Sequence, residues 1–113
     1  MTWDELRATC LSHDGAQETF PFEPGISVFK APNGKMFAVG AATGEPLDVS
    51  VKCDPERGVA LRRQYAGIVE GYHLNKRHWI TVTLDGGVPD VLVRELVEDS
   101  YHLVSARRGV ERA

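Results

Sequence analysis

The sequence predicts an α+β fold: a two-layer sandwich of element order α-β-β-β-α-β-β-α, an antiparallel sheet with its helices packed on one side. Three observations carry that prediction. Apolar stripes at helical spacing stand near the two ends of the chain. Between them lie segments that alternate apolar and polar residues, the pattern of strands with one buried face. A separate helix start, Asp54-Pro55-Glu56, interrupts the strand-rich middle.

Taken in order, Thr2 and Glu5 form a capping-box pattern that opens a helix. Trp3, Leu6 and Cys10 then share one face, and Asp14-Gly15 marks the stop. Phe20-Pro21-Phe22-Glu23-Pro24-Gly25 cannot continue a helix through two prolines and reads as a loop whose phenylalanines tuck into the core. Ile26 to Lys30 and Lys35 to Val39 flank the turn residues Ala31-Pro32-Asn33-Gly34, a hairpin signal. Leu47 to Lys52 alternates strictly and forms the third strand. At Asp54-Pro55-Glu56 a cap oxygen, a first-turn proline and a dipole-favoured acid start a helix running to about Tyr65. Val59, Ala60 and Leu61 are available to it for burial, and Arg62-Arg63 near its end suit the helix dipole. Ile68-Val69 is a short extended piece, and Trp79 to Leu84 is a β-branched, alternating strand. Pro89-Asp90 opens the last helix, with Leu92, Val93, Leu96, Val97, Tyr101, Leu103 and Val104 on its apolar stripe. Residues 1–105 thus make a single domain, and 106–113 read as a frayed tail.

With 113 residues, 42% hydrophobic and 26% charged, the chain can bury a core without disulfides or metal. Its apolar runs are shorter than the roughly 18 residues of a membrane span, and its acidic N-terminus lacks a signal-peptide pattern. No membrane association and a cytoplasmic location are therefore expected. Cys10 and Cys53 stand 43 positions apart without CxxC spacing, so they read as reduced core residues. The four histidines have no zinc-ligand spacing, and no metal or other cofactor is expected. Sequence motifs for a nucleophile elbow, a zinc protease, a P-loop or a dinucleotide fold are absent, so no catalytic residues are assigned and no enzymatic activity is expected.

Net charge is −3, but it is unevenly spread. Residues 1–48 balance to −4, residues 49–79 to +3 and residues 80–113 to −2. The positive middle could steer an anionic partner to one face. Within it, Tyr72-His73-Leu74-Asn75-Lys76-Arg77-His78-Trp79 packs aromatics, histidines, an amide and two cations into one run. Cations neutralise phosphate, an asparagine bonds to base edges or backbone, and rings stack on bases. Plainer roles exist for most of them. Trp79 at a strand start can be core, Leu74 an anchor, Asn75 a turn former, and His73 and His78 backbone partners. Adjacent Lys76 and Arg77 in a loop have no helix dipole to serve, which favours a contact role.

These residues also carry a family likeness. Phe29-Lys30, Gly34-Lys35-Met36-Phe37-Ala38, Lys52-Cys53-Asp54-Pro55, Gly71 to Trp79, Leu84-Asp85-Gly86 with Pro89-Asp90, and Ser100-Tyr101 together resemble the MmcQ/YjbR family of small bacterial proteins named as DNA-binding. The resemblance spans about Pro21 to Val104. It implies an α-β(3)-α-β(2)-α sandwich, similar to type III secretion chaperones and to the frataxin-like CyaY fold, with a double wing of sheet and loops against DNA. Catalytic residues do not transfer with it. The expected contact set is Lys30, Lys35, Arg62, Arg63, Tyr72, His73, Asn75, Lys76, Arg77, His78 and Trp79, binding DNA weakly and salt-sensitively. The alternative, by analogy with the chaperone-like fold, is a protein-interaction module or homodimer without a nucleic-acid role.

Overall fold

The computed structural model describes residues 1–71 and 74–105. Helix α1 (Trp3–Leu11) begins at the capping box: Glu5 N–H donates to Thr2 Oγ1 at 3.1 Å and Thr2 N–H to Glu5 Oε1 at 2.8 Å. Strands β1 (Gln17–Thr19), β2 (Ser27–Lys30), β3 (Met36–Gly40) and β4 (Asp48–Lys52) follow, then α2 (Pro55–Gln64). Strands β5 (Ile68–Glu70) and β6 (Trp79–Thr83) and helix α3 (Asp90–Ser105) complete the domain. The strands form one antiparallel sheet in the order β1-β2-β3-β4-β6-β5.

Helix α3 lies across β3 and β4, α2 covers β5 and β6, and α1 packs on α3. One core fills the space between the layers, joining Leu6, Leu61 and Leu96 of the helices to Phe29, Val49, Val51, Ile80 and Val82 of the sheet. Val28 and Trp79, though buried, stand outside this core because alternation turns them to the opposite, helix-free face.

Strand β1 adds a sixth strand to the five expected. Its three residues, Gln17-Glu18-Thr19, are polar and unpatterned because an edge strand this short has little face to bury. Phe20 and Phe22 are not core residues: they are 52% and 58% exposed on the β1–β2 connection, outside the layer interface. In α2 only Leu61 of the three expected apolar residues is buried, while Val59 and Ala60 face solvent. Gly58, three positions before Leu61, takes the sheet-facing site instead, since a Cβ there would lie 3.5 Å from Ile80 Cγ2.

Strand β3 contains an irregularity that organises the centre. Phe29 pairs with Ala38 but Lys30 pairs with Met36, leaving Phe37 as the extra residue of a β-bulge. The bulge turns Phe37 as well as Ala38 into the core, where Phe37 meets Tyr101 edge-on at 5.3 Å. It also breaks the β3–β4 ladder beyond Ala38–Val51. Ser100 of α3, fully buried, closes that gap. Its hydroxyl donates to Phe37 O at 2.6 Å and accepts from Lys52 N–H at 2.8 Å.

Candidate nucleic-acid interface

The β5–β6 connection begins where Gly71 N–H donates to Trp79 O at 2.9 Å. A Cβ at Gly71 would stand 2.6 Å from Trp79 Cβ, so only glycine lets the chain pass this close to the Trp79 backbone. Further on, Asn75 builds a turn with its own side chain. Its Oδ1 accepts from Arg77 N–H at 2.9 Å and His78 N–H at 3.2 Å, and its carbonyl accepts from Trp79 N–H at 3.0 Å. His78 O accepts from Cys53 N–H at 2.8 Å, tying the turn to the end of β4. Leu74 is half-buried against the helix-free face, while Lys76, Arg77 and His78 are held outward and exposed.

Register brings further cations to the same end of the sheet. Lys30 ends β2 opposite Met36, the first residue of β3, and Lys52 ends β4 opposite Trp79, the first residue of β6. By alternation Lys30 and Lys52 belong to the helix-free face. From β2 to β6 are three strand spacings, roughly 14 Å. Lys35 is exposed in the β2–β3 turn, where Lys35 N–H donates to Asn33 Oδ1 at 3.0 Å. Asn33 Nδ2 in turn donates to Val104 O near the end of α3, fixing the turn to the body. Among the described residues none of Lys30, Lys35, Lys52, Lys76 and Arg77 is ion-paired.

Other expected contact residues lie elsewhere. Arg62 and Arg63 occupy the last turn of α2, in the helical layer, just before the chain enters β5 at Ile68 opposite Val82. That is the far end of β6 from Trp79, and exposed Arg63 stays there, where it suits the helix dipole. The Arg62 guanidinium instead reaches back along α2 to Gly58, beside Ile80 and on the side of Cys53. Trp79 is 8% exposed and offers no free ring face for stacking. The side-chain oxygen of Asn75 is occupied by the turn. Tyr72 and His73, and the tail 106–113, lie outside the described residues. Lys52 was absent from the expected set, although the strict alternation of Leu47 to Lys52 puts it beside Asp48 and Ser50 on one strand face.

Arg57 and the two cysteines are committed internally. Arg57 pairs with Asp99 and, at 2.8 Å, with Glu95 of α3, and its hydrogen bond to Asp99 foremost raises its pKa above the ordinary value. Both cysteines are free and buried; burial pushes the Cys10 thiol up to about 12 and raises that of Cys53. Neither is a nucleophile at neutral pH. Among the described residues, no three His, Cys, Asp or Glu side chains come together as a metal site, and no helix is long and apolar enough to cross a membrane.

A two-layer α+β domain whose open sheet ends in cations without ion-pair partners among the described residues is thus the class the geometry defines. The chain belongs to the YjbR family, whose family model matches residues 11–103. It is similar to the uncharacterised protein YjbR of Escherichia coli (strain K12), 35% identical over 101 residues that cover 89% of this chain and 85% of the relative. Among solved structures, the Deinococcus radiodurans protein DR2400, of domain DUF419, shares 45% identity with a TM-score of 0.88, covering 98% of this chain and 85% of that one. A Pseudomonas syringae protein at 29% identity superposes with a TM-score of 0.77 over 91% of this chain and 98% of its own. The fold therefore has experimental counterparts.

Proposed function

We propose that this protein is a nucleic-acid-binding module that grips the phosphate backbone, DNA foremost, with the cationic end of its sheet. The observation that carries the reading is the gathering of Lys30, Lys35, Lys52, Lys76 and Arg77 there by strand register and two side-chain-braced turns, without ion-pair partners among the described residues. Unpaired cations on fixed backbone need no internal salt bridge broken before they meet phosphate. The chain's net charge of −3 keeps attraction local, so binding is nonspecific and weak, with Kd in the range of roughly 10⁻⁴ to 10⁻⁶ M at physiological salt.

Fluorescence anisotropy with a short labelled duplex and the matching single strand, titrated across low salt concentrations, tests this. Lys76→Ala/Arg77→Ala and Lys30→Ala/Lys35→Ala should each weaken binding. Each should also reduce the slope of log K against log salt by about 1.8, or about 0.9 per lost phosphate contact. Arg63→Ala, at the far end, should leave the curve in place. Indistinguishable curves for wild type and the two lysine-bearing variants would remove the interface.

A further inference from the structure

The helix-free face carries a second feature, toward the other end of the sheet from the lysines. A cleft of about 490 Å³ opens over β4 and β6. Its floor is the registered pair Ser50 and Thr81, whose hydroxyl oxygens are 2.8 Å apart. Phe22, Ile26, Val39 and Leu74 give it apolar walls, and among the described residues Asp48 is the only charged one lining it. The cleft therefore differs in kind from the cationic end: it is apolar and acidic, where the other is basic.

Asp48 is hard to explain as a structural residue. It is half-buried in an apolar setting, yet among the described residues its carboxylate has no hydrogen bond and no ion pair. Desolvation raises its pKa accordingly. A carboxylate kept in such a place without an internal partner costs stability unless something outside the fold compensates it. Phe22 presents the complementary anomaly, a large aromatic ring 58% exposed at the rim of the same cleft.

We propose that this cleft binds a small amphipathic organic cation, a primary ammonium carried on an apolar or aromatic body, with the ammonium paired to Asp48 and the body against Phe22, Val39 and Leu74. The volume lies within the roughly 300–1,000 Å³ of small-molecule sites, and an apolar lining with a few convergent polar groups is their usual make-up. The exposed Phe22 ring adds an attractive face for a cation or a stacked ring. Phosphorylated ligands are repelled by Asp48. Among the described residues a bare hard cation finds one carboxylate and two hydroxyls already bonded to each other, short of the six to eight oxygens that calcium takes.

The test uses 2-phenylethylamine as probe and 2-phenylethanol as its neutral counterpart, titrated into the isotopically labelled full chain and followed by amide chemical shifts. The amine should produce saturable shifts centred on Val39, Asp48, Ser50 and Thr81. The alcohol should bind at least about tenfold more weakly, the scale of losing one charge-assisted hydrogen bond. Asp48→Asn, isosteric and uncharged, should cut amine affinity by a similar factor and leave the alcohol unaffected. Leu74→Ala should weaken both. Absence of saturable shifts, shifts elsewhere, or equal affinity for amine and alcohol in wild type would overturn the assignment, and the last comparison stands even if a variant folds poorly. No nucleic acid is present, so failure here leaves the cationic end of the sheet untouched.

Discussion

Replacing Ser100 by alanine is the most demanding perturbation of this fold, because one hydroxyl closes the gap left by the Phe37 bulge. In the native chain it donates to Phe37 O and accepts from Lys52 N–H, and its side chain is fully buried. Alanine keeps the volume within one atom, so cavity terms are small. What it removes is the partner of two backbone groups beneath α3. A buried unsatisfied group costs about 1–3 kcal/mol. The freed N–H and C=O can relax partly toward each other across the gap, which holds the pair to about 2–4 kcal/mol. For 113 residues at about 2.1 cal/mol/K per residue, the entropy of unfolding is near 0.24 kcal/mol/K. The melting temperature of Ser100→Ala should therefore fall by roughly 8–17 °C. Differential scanning calorimetry gives that number, and amide hydrogen exchange localises it. Protection at Lys52 should drop selectively, while protection at Val49, in the intact part of the β4–β6 pairing, follows global stability alone. A fall of less than about 2 °C, or unchanged Lys52 protection, would show that the hydroxyl is not what seals the bulge.

Two further outcomes follow from the same geometry. Asp48→Asn should stabilise the protein at neutral pH. Burial raises the folded-state pKa above the ordinary 3.8, so the wild type loses stability as pH climbs from the unfolded value through the folded one and stays penalised above it. The melting-temperature difference between variant and wild type should be positive at pH 7 and shrink toward zero below about pH 3.8; a constant or negative difference would contradict a desolvated carboxylate. Gly71→Ala should destabilise by about 1–3 kcal/mol, since its Cβ would sit 2.6 Å from Trp79 Cβ and neither backbone can retreat without breaking the Gly71–Trp79 hydrogen bond. Urea unfolding monitored by Trp fluorescence reads it, and a shift in midpoint within error would rule out that contact.

Much of the architecture is written in local pattern. The capping box at Thr2, the proline start at Pro55 and the alternation of Leu47 to Lys52 each name an element without outside help, because capping and pleating are properties of neighbouring residues. Strand β1 escapes such reading: its three polar residues become a strand only because β2 lies alongside. Phe20 and Phe22 mislead for a related reason, since hydrophobicity tells that a residue gains from burial and not whether a neighbour is there to bury it. The expected contact residues divide in the same way. Lys76 and Arg77 stand in a turn that Asn75 announces, whereas the separation of Arg63 from them depends on which end of β6 helix α2 reaches. Ser100 is a polar residue on an apolar stripe, a signal in plain view whose meaning needs the bulge opposite it.

The brevity of the outer strands has a bearing on how this chain behaves in a crowded solution. β1 and β5 each span three residues, and exposed Glu70 closes the second. A strand arriving from another molecule would find too little ladder to hold it, and a negative side chain where it must settle. Growth of the sheet from molecule to molecule, the first step toward a fibre, stalls at both borders. The open face can stay uncovered, with its cleft and its lysines accessible, because the edges on either side of it are poor templates.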